Sequence, residues 1–176
     1  MALRTIITEP NKILRQVSKP VEKVGDEERK LMKDMLETMY QANGIGLAAI
    51  QIGVPKRIIV MDISKDNEKK DPKYFVNPII KNKNIHKSTY EEGCLSVPNQ
   101  FAEIDRPSKC EVEYLDYNGK KKLIKAEGLL ATCIQHEMDH LEGILFIDHL
   151  SNMKRNMIVK KLIKTRKQSK KERIVA

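Results

Sequence analysis

Apolar side chains recur three and four positions apart near both ends of the chain and at every second position through its middle. Each rhythm predicts its own kind of element. Leu31, Met32, Met35, Leu36, Met39 and Tyr40 fall on one helical face, with the methionines read as core filler. Gly25-Asp26 followed by Glu27 and Glu28 starts that helix with acids at its positive end, and Asn43-Gly44 stops it. A shorter helix is expected over 11–17, closing near Pro20. Arg57–Ile63 and Tyr74–Ile80 read as strands separated by a polar loop over 66–73. Cys110, Val112 and Tyr114 alternate with Glu111, Glu113 and Asp116 as a half-exposed strand, which Asn118-Gly119 turns into a partner over 122–126. A buried helix follows from Gly128 to Leu141, ended by Gly143, and a last helix begins near Ser151. Its narrow stripe of Met153, Met157, Ile158 and Leu162 runs among lysines. The expected fold class is α+β: one domain of antiparallel strands packed around the 128–141 helix, with a basic C-terminal helix. The body spans 1–150 and the appended helix 151–176.

Composition changes this picture in one place. The formal charge of +9 suggests a nucleic-acid partner until it is located. Ten basic residues and a single acid lie between Lys154 and Arg173, and the rest of the chain is balanced at 23 of each sign. A basic appendage is implied, and a basic catalytic surface is not. Three cysteines without paired spacing fit a reducing compartment, and no apolar run approaches the ~18 residues of a membrane span. The N-terminus carries no signal-peptide core, so a cytosolic location is expected, with no membrane partner.

The 128–141 helix also carries the candidate chemistry, in the pentad His136-Glu137-Met138-Asp139-His140. Residues four apart stack on one helix face, so both imidazoles can reach one metal ion while Glu137 sits at its rim. Two ligands, a base and an open position suit metal-activated hydrolysis, in which three protein ligands are usual. The third is not obvious downstream. A longer HExxHxxGxxH pattern matches through Gly143 but ends on Phe146, which cannot bind metal. Glu142 is too close and Glu172 lies in the tail, whereas Asp148 and His149 stay open, as would suit a zincin-type peptidase. Upstream, Cys110 and Cys133 are explained by packing, and Cys133 is separated from His140 by about 10 Å of helical rise. Cys94 follows Gly93 in a polar turn between two strand-like stretches, a good place for a ligand to project.

Three segments bear on that choice together: Gly44-Ile-Gly-Leu-Ala-Ala-Ile-Gln51, Glu92-Gly-Cys-Leu-Ser96 and Gln135-His-Glu-Met-Asp-His-Leu-Glu-Gly143. In order and approximate spacing they resemble the three signature motifs of the peptide deformylase family. Glu9-Pro10, Leu14-Arg15, Lys19-Pro20-Val21, Asn77-Pro78 and Arg106-Pro107 extend the likeness to about residue 165. The resemblance implies a bacterial-type cytoplasmic metallohydrolase that takes the formyl group from N-formylmethionine at the start of nascent polypeptides. It implies one divalent ion on Cys94, His136 and His140, ferrous iron natively, with zinc, nickel or cobalt as alternatives that the donor set alone does not separate. It makes Glu137 the general base and acid, with the Gln51 amide and the Leu95 N–H as donors to the developing oxyanion. Substrate contacts are then expected from Ile45, Gly46, Glu92, Gly93, Leu129 and Cys133. The two glycines would admit a peptide in strand-like pairing, and Ile45, Leu129 and Cys133 would line a methionine pocket. Asp139 either accepts the second N–H of a ligand histidine or pairs with Arg106. His86 and His149 read as structural. Asn99-Gln-Phe101 departs from the family, where glycine or a charged residue is common, so the groove rim is expected to differ. The basic tail suggests docking on ribosomal RNA. An RNA-binding protein with a closed structural metal site is the non-enzymatic rival.

Overall fold

The computed structural model describes residues 2–65 and 68–175, with 169–175 described by backbone alone. Its elements are α1 (Asp26–Gln41), β1 (Gly46–Ala48), β2 (Ile58–Met61), β3 (Lys73–Lys83), β4 (Lys87–Cys94), β5 (Val97–Pro107), β6 (Lys109–Leu115), β7 (Lys121–Glu127), α2 (Gly128–Leu141) and α3 (Asn152–Val175). Single 3-10 turns lie at Lys12–Arg15, Ala49–Ile52 and Phe146–His149. Five strands form an antiparallel sheet in the order β1-β2-β3-β6-β7, and β4 with β5 makes a separate antiparallel hairpin.

The sheet is covered on both faces, and β2 shows why. All four residues of Ile58-Ile-Val-Met61 are buried, the continuous apolar run expected of a strand between two layers. Ile58 and Val60 pack with Met32, Met35 and Met39 of α1. Ile59 and Met61 face the other way, onto Ala131, Cys133, Ile134 and Leu141 of α2. Full burial of each such side chain is worth about 1.5–3 kcal/mol, so β2 and the two helices hold the middle of the domain. A third apolar cluster joins Val97 and Ile104 of β5 to Phe146, Ile147 and Leu162. The helix α2 is thus enclosed by the sheet on one side and the β4–β5 hairpin on the other. This is the expected α+β arrangement.

Several boundaries differ from expectation. The 11–17 helix is one 3-10 turn, in which Leu14 is the fully buried side chain and Asn11 accepts a hydrogen bond from the Ile13 N–H. Gly46–Ala48, within the glycine segment, is an edge strand paired with β2. Asp66 and Asn67, at the start of the expected polar loop, lie outside the described residues. The α3 stripe is split: Leu162 and the half-buried Ile158 join the third cluster, whereas Met153 and Met157 are exposed. No helix among the described residues is long and apolar enough to cross a membrane.

Candidate metal centre

Helix α2 starts directly after β7 and runs down the middle of the domain, which places its last two turns against the β4–β5 hairpin. Cys94 ends β4, and Leu95-Ser96 turns the chain into β5. The N-terminal segment secures this turn. The Glu9 N–H donates to the Ser96 carbonyl at 2.8 Å, and the Ile7 N–H donates to the Gln51 carbonyl at 2.7 Å. Three distant parts of the sequence therefore converge. Cys94, His136 and His140 offer ligand atoms that all lie within 4.8 Å of one another, with Cys94 Sγ 3.3 Å from His140 Nε2.

The two imidazoles differ electrostatically although they are one helical turn apart. Burial disfavours the charged form of His136, but hydrogen bonds to Cys94 and Glu92 outweigh it and hold the ring well above its ordinary pKa. Burial pushes His140 well below its ordinary value, and repulsion from His136 adds to that. His136 Nδ1 lies 2.8 Å from Glu92 Oε2. A carboxylate only accepts, so Nδ1 carries a proton and Nε2 is left for the cluster. The proton held near Cys94 marks where a cation would take over, and a thiolate with two neutral imidazoles is a fitting donor set. These residues fit a divalent ion.

Glu137 faces the same space. It is 4% exposed, and burial raises its carboxyl to about 7. Oε2 is buried with no hydrogen-bond partner among the described residues. Oε1 lies over Gly46, where a Cβ would stand only 2.4 Å from it. A side chain at position 46 would have to displace that carboxylate. Gln51 is held on three sides: its Oε1 accepts from the Ala48 N–H at 2.8 Å, and its Nε2 lies 3.1 Å from Ser96 Oγ and 3.6 Å from Cys94 Sγ.

A cleft of about 480 Å³ opens over this cluster, bounded by Ile45, Gly46, Gly93, Leu95, Leu129 and Cys133 among others. Ile45 and Leu129 are half-exposed at its rim, and Cys133 is buried in its wall. Glu92 and Gly93 both border the cleft. The Glu92 carboxylate takes two bonds from Arg106, at 2.6 and 3.0 Å, besides the one with His136. Its side chain orients a histidine. At Gly93 the Phe101 ring packs against the glycine, and an added Cβ would meet it at 2.6 Å. Of the two roles considered for Asp139, the geometry has the ion pair with Arg106, at 2.8 Å. Asp148 accepts from Arg15 and lies in ion-pair range of Arg155, and His149 turns to Asp139, so neither downstream candidate joins the cluster.

Arg106 and Ser96 escaped the sequence reading as parts of the site. A carboxylate two residues before Cys94 with an arginine on the neighbouring strand was the available signal for Arg106. Ser96 gave none.

A family model described as polypeptide deformylase matches residues 3–156. The peptide deformylase of Pelagibacter ubique (strain HTCC1062) is 77% identical over 164 residues, covering 93% of this chain and 95% of that one. A crystal structure of peptide deformylase from Ehrlichia chaffeensis superposes with a TM-score of 0.91 at 43% identity, covering 96% of this chain and 99% of that one. The Ehrlichia chaffeensis enzyme in complex with actinonin gives 0.90 at 46% identity, covering 94% and 98%. Sequence, fold and the converging motifs agree, and the chain belongs to the polypeptide deformylase family.

Proposed function

We propose that this chain removes the formyl group from N-formylmethionine at the start of newly made polypeptides, releasing formate and a free amine. The observation that carries this reading is the convergence of Cys94, His136 and His140 beside the buried carboxylate of Glu137, at the floor of an open cleft. A divalent ion held by these three side chains supplies Lewis acidity and an acidified water. The residues around it do the rest.

Glu137 takes the attacking water's proton at Oε2 and hands it to the departing nitrogen as the C–N bond breaks. Its elevated pKa suits a group that must both accept and return a proton. Gln51 and the Leu95 N–H donate to the oxygen on which charge develops. The support for Gln51 is its fixed orientation: a carbonyl tied to Ala48 leaves the amide nitrogen toward Cys94. The peptide lies along the outer edge of β1 at Ile45 and Gly46, and the methionine side chain enters between Ile45, Leu129 and Cys133. An edge strand and an apolar side wall favour that placement. Formate release from a formyl-Met peptide by the wild type, lost together with bound metal in Cys94→Ala, tests the reading. Cleavage of internal peptide bonds with Cys94 dispensable would sink it.

The resident ion is proposed to be Fe(II), with zinc, nickel and cobalt acceptable to the same donors. Metal analysis after anaerobic purification decides it. The body over 1–150 is the catalytic unit, working in a bacterial-type cytoplasm. Helix α3 docks it on ribosomal RNA, a reading supported by the surplus of lysine and arginine beyond residue 153. Unchanged co-sedimentation with ribosomes at low salt after removal of 152–176 overturns the docking.

A further inference from the structure

A continuous chain of charged side chains leads from the surface to His136. Glu92 Oε2 faces His136 Nδ1, and both Glu92 oxygens accept from Arg106. Arg106 Nη1 reaches Asp139 Oδ2 at 2.8 Å, and the same oxygen lies 2.7 Å from His149 Nε2. Arg106 is 4% exposed, so a single buried cation serves two carboxylates. That cation is shared between them, on a path that ends at His136. His149, half-exposed at the end of the 3-10 turn Phe146–His149, is the additional donor on Asp139.

We infer that His149 is a positioning residue for the metal centre: by donating to Asp139 it leaves Arg106 free to hold Glu92, and Glu92 in turn fixes the ring of His136. Without His149 the Asp139 carboxylate draws on Arg106 alone. The guanidinium then shifts its share toward Asp139, and the hydrogen bond that sets the His136 tautomer loosens. The anchoring of the 3-10 turn argues against a purely structural part. Phe146 and Ile147 are buried, and Asp148 is bound by Arg15, Arg155 and the Leu145 N–H. That turn stays in place without His149.

This inference rests on the proposed ligand set, and the experiment separates the two. The apoprotein, His149→Phe and His149→Gln are titrated with Co²⁺ against a chelator, alongside formate release and apoprotein Tm. Glutamine keeps a donor at the reach of Nε2, and phenylalanine removes it. Direct outer-shell partners of a ligand are worth 10–100-fold in metal affinity, so a group two links further out is expected to cost about 3- to 10-fold in His149→Phe. kcat should fall with it while KM stays, and His149→Gln should restore both. A lowered Tm with unchanged Co²⁺ affinity overturns the inference, as does equal weakening in both variants. Wild type that neither binds Co²⁺ nor releases formate would instead overturn the functional reading beneath it.

Discussion

Helices α2 and α3 carry most of what is unusual in this sequence, and they use polar residues in opposite ways. In α2 most of the polar side chains are buried, and several are fixed by neighbours. Gln135 bonds the carbonyls of Pro107 and Ala131, His136 bonds Glu92, and Glu137 is sealed against Gly46. In α3, the longer of the two, Leu162 is buried while the lysines from 154 to 167 are exposed. Burial is what turns an ordinary side chain into a reagent. It raises Glu137 to about 7 and drives His140 down, whereas a lysine left in water keeps its charge and acts only through the summed field.

The sharpest way to break that contrast is to remove charge within α2 and leave shape. Glu137→Gln keeps the ligands and the packing but cannot take up a proton. Formate release should fall about 10²- to 10⁴-fold with metal content unchanged. Retained activity would mean that burial of Glu137 serves packing alone. Arg106→Leu attacks the same region from outside the helix. It leaves Glu92 with His136 alone and Asp139 with His149 alone, so a stability loss of about 1–3 kcal/mol in urea unfolding is expected. A loss well below about 1 kcal/mol would show that the two histidines suffice to hold the acids. Gly46→Ala is subtler, because the new Cβ must displace the Glu137 carboxylate. A misplacement of about 1 Å should lower kcat about 10²-fold with little change in fold stability.

The same contrast explains what the sequence made legible. The apolar run of α2 and its bounds at Gly128 and Leu141 were readable because a helix enclosed by other elements is rich in apolar residues and Gly143 follows it as a stop. The pentad was readable because two ligands and a carboxylate lie within one turn. Cys94 came into view only through its surrounding motif, since its distance to His140 is set by the β4–β5 turn and by Glu9 bonding Ser96, contacts with no local signature. Arg106 was weighed merely as a partner for Asp139. Its grip on Glu92 depends on strand register, which places Arg106 opposite Ser88, four residues along the strand from Glu92. The part that the Glu92 carboxylate plays in holding His136 was hidden for that reason.

Glu28, at the start of α1, lies between the two extremes. A hydrogen bond from Lys56 at 2.8 Å and one from the Gly25 N–H hold its carboxyl below the ordinary value. A depressed pKa stabilises the fold above the unfolded-state value of about 4.3, and that contribution is lost as pH falls through the folded one. Glu28→Gln should therefore cost about 1 kcal/mol at pH 7, with the Tm gap to wild type closing toward pH 3. A gap that is independent of pH would show that shape alone is at stake.

The smallest expected effect on catalysis lies in α3, and it tests the other half of the contrast. Lys160, Lys164 and Lys167 are exposed and lie outside the cleft, whereas Leu162 between them joins the third apolar cluster. Reversing the three lysines to glutamate leaves that packing intact. Stability should stay within about 0.5 kcal/mol, and formate release from a short formyl-Met peptide should be unaltered. Ribosome binding is where the change should be felt, with the slope of log affinity against log salt falling by about one for each phosphate contact removed. If kcat/KM on the short peptide falls instead, the field of α3 reaches the catalytic cleft. The separation between a buried helix that reacts and an exposed helix that docks would then be wrong.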